Sequence, residues 1–419
     1  MKFYTSVLPY RGRLLVRGVD KDGTQKKYRI NYKPSLFVPV KKETKYKTLD
    51  GRYVEKIKFD SMPEATKWVN EYKNVTNFEY FGNTRHQYPF IAEEFEGKID
   101  WDMNQIKLLS IDIECESENG FPSPEKADQP LICITVKDHT SKKIIVFGMG
   151  NFVNDREDVQ YIDCVTETGL VETFTKFWVE YNPDIITGWN VKFFDIPYLM
   201  NRFRYLMGDD WLNQFSPWGI VEQKSASVLF ASREQQVWNI MGVDTLDYLD
   251  LYRKFTFVRR ESYKLDYIGE VELGQNKLDN PYDTFKEFYS NDYQRFVEYN
   301  IQDVELVDKL EDKLQLIALF LTMAYEAKVN YQDVFGQVRI WDCIIYHHLR
   351  SKNIVPPAIQ ESKTSDGYEG AYVKDPVVGF HDWVCSFDLN SLYPHLIMQY
   401  NISPETMVGF EPNRVNVEN

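Results

Sequence analysis

Hydrophobic and polar residues alternate in short runs over the first 60 positions of the chain. The runs with a period of two, which is typical of β-strands, are RLLVRGV, KYRINY and SLFVPV. Between the first two runs, Lys21, Asp22 and Gly23 predict a tight turn. A helical period follows at Pro63–Tyr72. The pattern therefore predicts a β-rich N-terminal region.

Strands and helices alternate over the following 250 residues or so, and this pattern predicts an α/β layer with a mixed sheet. The predicted strands are Ile106–Ile113, Leu131–Val136, Lys143–Phe147 and Asp184–Thr187. The predicted helices are Thr173–Glu180, Ile196–Met207, Tyr293–Leu314, Leu316–Lys328 and Ile340–Lys352. We also predict a hairpin at Ser227–Val243, a late strand in VCSFDL (384–389) and a last helix in SLYPHLIMQY (391–400).

The composition is that of a folded protein of two or three domains, because 419 residues exceed the usual size of one domain and 43% of them are hydrophobic. No apolar run approaches the roughly 20 residues of a membrane span, so we expect no membrane partner. The five cysteines are scattered without paired metal-ligand spacing. They indicate a reducing compartment, and we predict a cytoplasmic location, in the host cytoplasm if the protein is viral.

The net charge of −14 is unevenly distributed along the chain. Residues 1–100 hold 20 Lys and Arg against 13 Asp and Glu, a balance of +7, and the remainder has a balance of −21. A basic N-terminal region is compatible with a phosphate backbone, although a solvated lysine-rich sheet face would give the same count. The surplus carboxylates of the remainder are candidate metal ligands.

Two acidic residues share one face of the predicted strand at Ile106–Ile113 and its continuation. In the alternating pattern, Asp112 and Glu114 lie opposite Ile111 and Ile113. Neighbouring carboxylates repel each other, and a divalent cation would compensate the repulsion. An edge strand with both acids in water is the simpler alternative for this motif alone.

Two further motifs place acids at a helix start and within a helix. Asp195 follows a strand, a glycine turn and two aromatic residues, and Pro197 suits the opening turn of a helix. An N-cap is the ordinary role of an aspartate at that place. Tyr299 and Asp303 are four residues apart, so they project from one helix face, as an ordinary surface pair would also do.

Taken together and in this order, the three motifs resemble the DEDD exonucleases of the tyrosine subclass. The resemblance implies a site for two Mg²⁺ or Mn²⁺ ions, formed by Asp112, Glu114, Asp195 and Asp303. It implies that Asp112 bridges both ions, that Glu114 and Asp303 serve the ion that activates water, and that Asp195 serves the second ion. Tyr299 would hydrogen-bond the attacking water.

The C-terminal part carries two more motifs, Tyr368-Glu369-Gly370-Ala371 and the string SFDLNSLYP at 386–394. They resemble the opening of the palm of family B DNA polymerases, most closely those of the T-even phage type. The implied fold is α/β mixed, with a ribonuclease H-like DEDD exonuclease domain, a β-rich N-terminal domain and a partial palm. The implied domains are 1–105 with 317–358 returning to it, 106–316 for the exonuclease, and 359–419 for the palm.

The resemblance also implies residues that bind nucleotide and DNA. Asp388 would be a polymerase metal ligand, Leu389 and Leu392 would contact the nucleotide, and Tyr393 would stack under its sugar. Phe194 would contact terminal bases, Asn190 would contact DNA, and Lys277 would lie near the scissile phosphate, although a solvated loop lysine is an equal alternative. The hairpin would separate the primer from the template.

The sequence departs from the family pattern because a second palm Asp-Thr-Asp motif and a Lys-rich fingers helix are not found in these 419 residues. We therefore expect proofreading of single-stranded or primer-template DNA, with polymerisation only when the missing part is supplied in trans. Two explanations for the missing motifs remain open: the chain is shortened, or it is one subunit of a naturally split polymerase. A sliding clamp that binds through the missing part also remains an open alternative as a partner. The competing functions are a free-standing RNA or DNA exonuclease and a non-catalytic DNA-binding or docking subunit.

Overall fold

The computed structural model describes residues 1–117, 120–227, 234–278, 280–358, 370, 372–403 and 406. The chain divides into two compact units, Met1–Gln360 and Glu361–Asn419.

The N-terminal part of the first unit is β-rich, as predicted. Its strands are β1 (Phe3–Tyr10), β2 (Arg13–Val19), β3 (Gln25–Ile30), β4 (Ser35–Pro39), β5 (Tyr46–Thr48) and β6 (Tyr53–Lys58). Its helices are α1 (Met62–Tyr72) and α2 (Gln87–Glu94). The predicted turn joins β2 to β3, where Gly23 has a φ of 81° and donates to the Asp20 carbonyl. Helix α1 begins after Ser61, whose hydroxyl accepts from the Glu64 backbone N–H.

The remaining elements of the first unit alternate between strands and helices. The strands are β7 (Leu108–Cys115), β8 (Leu131–Asp138), β9 (Ile144–Gly148), β10 (Val159–Asp163), β11 (Ile185–Gly188), β12 (Val221–Ser227), β13 (Glu234–Ile240), β14 (Asp244–Asp247) and β15 (Ile354–Val355). The helices are α3 (Glu167–Tyr181), α4 (Asp195–Met207), α5 (Asp209–Leu212), α6 (Tyr248–Phe255), α7 (Leu265–Leu273), α8 (Phe285–Asn291), α9 (Tyr293–Leu314), α10 (Leu316–Ala327) and α11 (Gln337–Ser351). Short 3₁₀ turns lie at Met103–Gln105, Asn213–Phe215 and Tyr331–Phe335.

A six-stranded mixed sheet in the order β10-β9-β8-β7-β11-β14 is the centre of this part. Strand β7 pairs antiparallel with β8 along its length and parallel with β11 over residues 108–110, so it is an inner strand of the sheet. Helices α4 and α9 both pack on β7. The alternative of an edge strand for Asp112 and Glu114 is therefore wrong.

The predicted hairpin exists, but its first strand begins earlier than expected. Strands β12 and β13 pair antiparallel from Val221 opposite Ile240 to Ser227 opposite Glu234, and the residues that connect them lie outside the described part. Sequence alternation located β13 well. Strand β12 has the sequence VEQKSAS, a polar run with little hydrophobic alternation, so its start could not be read from the pattern.

A buried ion pair joins the N-terminal sheet to the mixed sheet. Arg17 on β2 and Asp184, just before β11, lie 3.1 Å apart between Nε and Oδ1, and both side chains are almost inaccessible to water. The carboxylate also accepts from Thr5, from Gln25 and from the backbone N–H of Lys107. The guanidinium donates in addition to the carbonyls of residues 182, 183 and 242.

The chain returns to its first strands after α10. Tyr4 donates through its hydroxyl to the Val329 carbonyl at 2.7 Å, and Asn330 exchanges two hydrogen bonds with the backbone of Val7. Strand β15 then pairs with β5 in the sheet β15-β5-β6-β4. These contacts agree with a return of 317–358, and the exact domain boundaries remain a prediction.

The junction between α9 and α10 is fixed by Glu311. Gln315 between the two helices has a left-handed φ of 52°. The Glu311 carboxylate, which belongs to α9, accepts from the backbone N–H groups of Ile317 and Ala318 at the start of α10 and from the hydroxyl of Tyr248. It satisfies two of the otherwise unpaired amides of that helix start.

The second unit contains one helix among its described residues, α12 (Leu392–Tyr400). The strand predicted at 384–389 is absent from the described segment 372–403, where Trp383 and Phe387 are almost fully exposed. A strand needs a hydrogen-bonded neighbour, and no described residue supplies one to this segment. Across the described part of the chain, every helix is too short or too polar to cross a bilayer.

Candidate active site

Strand β7 presents two carboxylates on one face. Ile111 and Ile113 are buried on the opposite side, and the half-buried Asp112 and Glu114 alternate with them, as the sequence pattern predicts. Helices α4 and α9 pack on β7, and Asn300 of α9 donates to Asp112, so the acids are not free in bulk water as they would be at an exposed sheet edge.

Asp195 reaches the same place from the first turn of α4. Its Oδ1 accepts a hydrogen bond from the backbone N–H of Ile113 at 3.1 Å. The side chain is 4% exposed. Asp195 is the first residue of its helix, after an N-cap Phe194 that makes no capping bond, so its contact with β7 distinguishes it from an ordinary N-cap.

The turn that carries Asp195 is held by glycine and by a buried aspartate. A Cβ on Gly188 would lie 2.5 Å from the Ile111 carbonyl oxygen, so β11 can approach β7 this closely only with glycine there. Asn190 follows with a left-handed φ of 64°. Asp247, at the end of β14, accepts from the backbone N–H groups of Asn190 and Lys192 at 3.0 and 2.9 Å.

Helix α9 brings Tyr299 and Asp303 against β7. Carboxylate oxygens of Asp112, Glu114 and Asp303 lie within 4.8 Å of one another. Asp195, Tyr299 and Asn190 line the same cavity, whose volume is about 430 Å³. The structure therefore brings all five residues of the predicted exonuclease set to one place.

Asn300 is a residue of the site that sequence reasoning missed. It is fully buried on α9, and its Nδ2 donates to Asp112 Oδ2 at 2.6 Å. Its Oδ1 accepts from the thiol of Cys133 on β8 at 3.4 Å. The available signal was the helical spacing, because Asn300 precedes Asp303 by three residues and so shares its face.

Lys277 lies in the cluster and is not a solvated loop lysine. Its ammonium forms an ion pair with the Asp303 carboxylate and lies 5.3 Å from the centre of the Tyr299 ring. The backbone N–H of Lys277 donates to Asp266 at 3.0 Å, which fixes the loop after α7.

The carboxylates of the cluster disfavour one another's charge. Burial raises the pKa of Asp112 well above its ordinary value, and the carboxylates of Asp195, Asp303 and Glu114 raise it further. Burial and Asp303 raise the pKa of Glu114 to about 8, and burial raises that of Asp195 to about 7. Burial alone would lower the pKa of Lys277, but the nearby carboxylate of Asp303 raises it.

The donor set fits hard divalent cations. Carboxylate oxygens are the ligands that Mg²⁺ and Mn²⁺ prefer, and neither histidine nor cysteine belongs to the three-carboxylate group. Asp303 Oδ1 is buried and has no hydrogen-bond partner within the described residues. A cation would satisfy this oxygen and reduce the repulsion that raises the pKa values.

Two aromatic side chains flank the cavity. Phe194 and Phe121 both line it, with ring centroids 5.3 Å apart at an angle of 45°. Phe121 is 85% exposed. All three residues predicted to bind DNA line this cavity, namely Phe194, Asn190 and Lys277.

The predicted polymerase residues lie in the second unit. Asp388 and Leu389 precede α12, Leu392 and Tyr393 begin it, and all four side chains are exposed. Their roles at a polymerase site remain a prediction.

The sequence matches known families in two separate places. The profile described as DNA polymerase family B, exonuclease domain matches residues 65–268, and the profile described as DNA polymerase family B matches residues 333–419. The chain belongs to DNA polymerase family B. The exonuclease-domain match contains Asp112, Glu114 and Asp195, and the other match contains Asp388.

Phage relatives of this family B chain cover nearly all of it. It is 34% identical over 437 residues to the DNA-directed DNA polymerase of Escherichia phage RB69, and 31% identical over 434 residues to that of Enterobacteria phage T4. Each match covers 97% of this chain and 48% of the phage protein, so the chain spans about half the length of these relatives. The DNA polymerase delta catalytic subunit of Caenorhabditis elegans is 29% identical over 72% of the chain and 29% of its own length. The predicted resemblance to the T-even phage type is thus confirmed.

Proposed function

We propose that this family B chain is a 3′→5′ proofreading exonuclease that hydrolyses 3′-terminal deoxynucleotides from single-stranded or frayed primer ends. The observation that carries the proposal is the convergence of Asp112, Glu114 and Asp303 within 4.8 Å, beside Asp195 and Tyr299. A surface that only docks a partner has no need of clustered buried carboxylates whose mutual repulsion lowers stability.

In this proposal the carboxylates hold two Mg²⁺ or Mn²⁺ ions. Asp112 would serve both ions, Glu114 and Asp303 would serve one, and Asp195 would serve the other. When bound, such ions neutralise charge on the phosphate and lower the pKa of a coordinated water. Asn300 keeps one oxygen of Asp112 occupied, and this leaves the other free to act as a ligand.

Tyr299 and Lys277 would act on the water and the phosphate. Burial raises the pKa of Tyr299, so its phenol stays protonated at neutral pH and can donate a hydrogen bond while it orients the water. The Lys277 ammonium, held beside Asp303, would attract the negative scissile phosphate. Phe194 and the exposed Phe121 offer ring faces on which terminal bases can stack.

The domains proposed for the chain are 1–105 with 317–358, 106–316 for the exonuclease and 359–419 for the start of the palm. For Asp388, Leu389, Leu392 and Tyr393 the proposal is a partial polymerase site that needs a further carboxylate from a C-terminal part supplied in trans or in a longer chain. A sliding clamp would bind through that part.

A hydrolysis assay on single-stranded DNA tests the nuclease. A 3′-labelled strand should release labelled mononucleotide at once in Mg²⁺, whereas a 5′-labelled strand should shorten stepwise from its other end. The variant Asp112→Ala plus Glu114→Ala should lose nearly all activity, and Asp60→Ala, an exposed acid in a surface ion pair with Lys33, should keep it.

Two results would overturn the proposal. One is the absence of Mg²⁺-dependent nucleotide release by the wild-type chain, which would favour a DNA-binding or docking subunit. The other is equal release by the double variant, which would place the activity elsewhere. Preferential degradation of RNA would instead identify a free-standing trimming nuclease.

A further inference from the structure

A second cavity of about 430 Å³ lies in the first unit and shares no lining residue with the candidate active site. Its walls are the sheet β15-β5-β6-β4 on one side and helices α2 and α11 on the other. The segments that form it are about 250 residues apart in sequence, so it exists only because the chain returns to its first strands after α10.

Positive side chains dominate this cavity. Lys45, Lys56, Lys328 and Arg350 line it, against the two acids Glu93 and Glu96. The four cations exceed the two acids, so the charged lining has an excess of two positive groups.

The charges of the cavity are poorly neutralised by the protein. Lys328 donates to the Phe95 carbonyl at 2.6 Å and has no carboxylate within ion-pair distance in the described structure. Arg350 donates to the Ala92 carbonyl, and its nearest carboxylate, on the largely exposed Glu96, is 3.7 Å away. Glu93, the other acid, already accepts from the hydroxyl of Tyr32 at 2.8 Å.

The remaining two lysines of the cavity add to its positive electrostatic potential. Neither Lys45 nor Lys56 forms an ion pair with any described residue, and Lys45 lies 5.7 Å from the centre of the Tyr46 ring. Burial, and then the nearby positive charge of Arg350, lower the pKa of Lys328. Burial, Lys328 and Arg350 also lower the pKa of His347 to about 4, so this imidazole is neutral at physiological pH.

We propose that this cavity binds the phosphate monoester of a small ligand, with Lys328 and Arg350 on the phosphate and Lys56 at its side. A phosphate monoester carries nearly two negative charges at neutral pH, and this matches the excess of two positive groups over acids in the lining. Arg350 offers a guanidinium fork to phosphate oxygens, and Lys328 offers a point charge. The volume is in the range of small-molecule sites.

One wall of the cavity is aromatic. Phe37 and Tyr46 meet edge to face with ring centroids 5.0 Å apart, and both line the cavity. Such a wall gives apolar contact to the organic part of the ligand while the cations hold its phosphate.

Isothermal titration calorimetry on the full 419-residue chain tests the proposal. The probes are inorganic phosphate, ribose 5-phosphate, adenosine 5′-monophosphate and adenosine, with EDTA present so that the carboxylate cluster can bind no phosphate through a cation. We expect saturable 1:1 binding of the phosphorylated probes and none of adenosine. A 5′-phosphorylated oligonucleotide, compared with its 5′-hydroxyl form, distinguishes a strand end from a small molecule as the source of the monoester.

Two variants locate the binding. Arg350→Gln removes the guanidinium and should weaken binding at least tenfold. Lys56→Gln removes a charge that supports no described ion pair, so it should leave the melting temperature unchanged while it weakens binding severalfold. The control is Lys33→Gln, since Lys33 lies outside the cavity and pairs with Asp60.

Three outcomes would refute the site. The first is the absence of saturable binding of any phosphorylated probe below about 10 mM, which corresponds to less than about 3 kcal/mol of binding free energy. The second is equal affinity for adenosine and its monophosphate. The third is equal affinity of the wild type and both cavity variants. Because EDTA removes metal-dependent binding and no variant touches the carboxylate cluster, these outcomes are independent of the exonuclease proposal.

Discussion

The ion pair between Arg17 and Asp184 should carry a large share of the stability of the first unit, and Asp184→Ala is the variant that measures it. In the wild type the carboxylate lies 3.1 Å from Arg17 Nε and accepts three hydrogen bonds, from Thr5 at 2.9 Å, Gln25 at 2.8 Å and the Lys107 backbone at 2.9 Å. The variant leaves these three donors without this acceptor and Arg17 without its ion-pair partner.

The greater loss is the counter-charge of the guanidinium. Arg17 keeps its three backbone carbonyls but remains a buried cation without its ion-pair partner, and burial already lowers its pKa. Removing one partner of a buried pair costs about 3–5 kcal/mol. Domains are stable by only about 5–15 kcal/mol, so the loss should be visible as a clear shift of the unfolding midpoint.

Urea denaturation followed by tryptophan fluorescence measures the loss. Asp184→Asn keeps an acceptor and should be less damaging than Asp184→Ala. The double variant Arg17→Met plus Asp184→Leu should lose less than the sum of its single variants, because neither charge is then left alone. The exposed pair between Lys33 and Asp60 is the control, and Asp60→Ala should cost less than about 1 kcal/mol. A loss below about 1 kcal/mol for Asp184→Ala, or a double variant no better than the sum, would refute this reasoning.

Three further outcomes are expected. Asn300→Ala removes the amide that donates to Asp112, and it should weaken Mn²⁺ binding and lower the nucleolytic rate by roughly 10–100-fold. Calorimetry measures the Mn²⁺ affinity, and labelled DNA measures the rate. An unchanged Mn²⁺ affinity would contradict the role given to Asn300. Gly188→Ala places a Cβ 2.5 Å from a backbone oxygen and should cost about 1–3 kcal/mol in urea, whereas Gly336→Ala, where the nearest atom is 3.6 Å away, should be nearly neutral. Burial lowers the pKa of His86 to about 4, so the unfolded chain takes up a proton near pH 6.5 that the folded protein does not. Relative to His86→Gln, the wild type should therefore lose roughly 2–3 kcal/mol of stability between pH 7 and pH 4, and parallel pH profiles of the two proteins would be evidence against this.

Local patterns predicted the elements around the candidate site well. The alternation of Ile111 and Ile113 with two acids gave the correct face of β7, and the helical period at Tyr293–Leu314 has the same bounds as α9. These signals are local because a strand or a helix repeats every two or 3.6 residues. The short helix α2 was missed, since its QYPFIAEE sequence is buried on several sides and shows little amphipathic period.

Contacts between distant segments could not be read from the sequence. Asn300 meets Cys133 across 167 positions, and the pairing of Lys277 with Asp303 depends on how the loop after α7 folds back on α9. The late strand at 384–389 was predicted from its composition, but strand pairing needs a neighbour that local sequence cannot guarantee. Side-chain partners of this kind are decided by tertiary structure, and the sequence offers only spacing as a hint.

Helix α9 also makes the candidate site sensitive to events outside it. Tyr299, Asn300 and Asp303 belong to one helix of 22 residues, whose C-terminal half is fixed through Glu311 to the start of α10. Glu311 lies eight residues from Asp303, a distance of about 12 Å along the helix axis. A substitution that removes the hydrogen bonds of Glu311 to α10 would allow α9 to tilt. The tilt would displace all three side chains together. If the proposed nuclease activity is present, a screen for its loss should then recover variants of Glu311 as well as variants of the acids themselves.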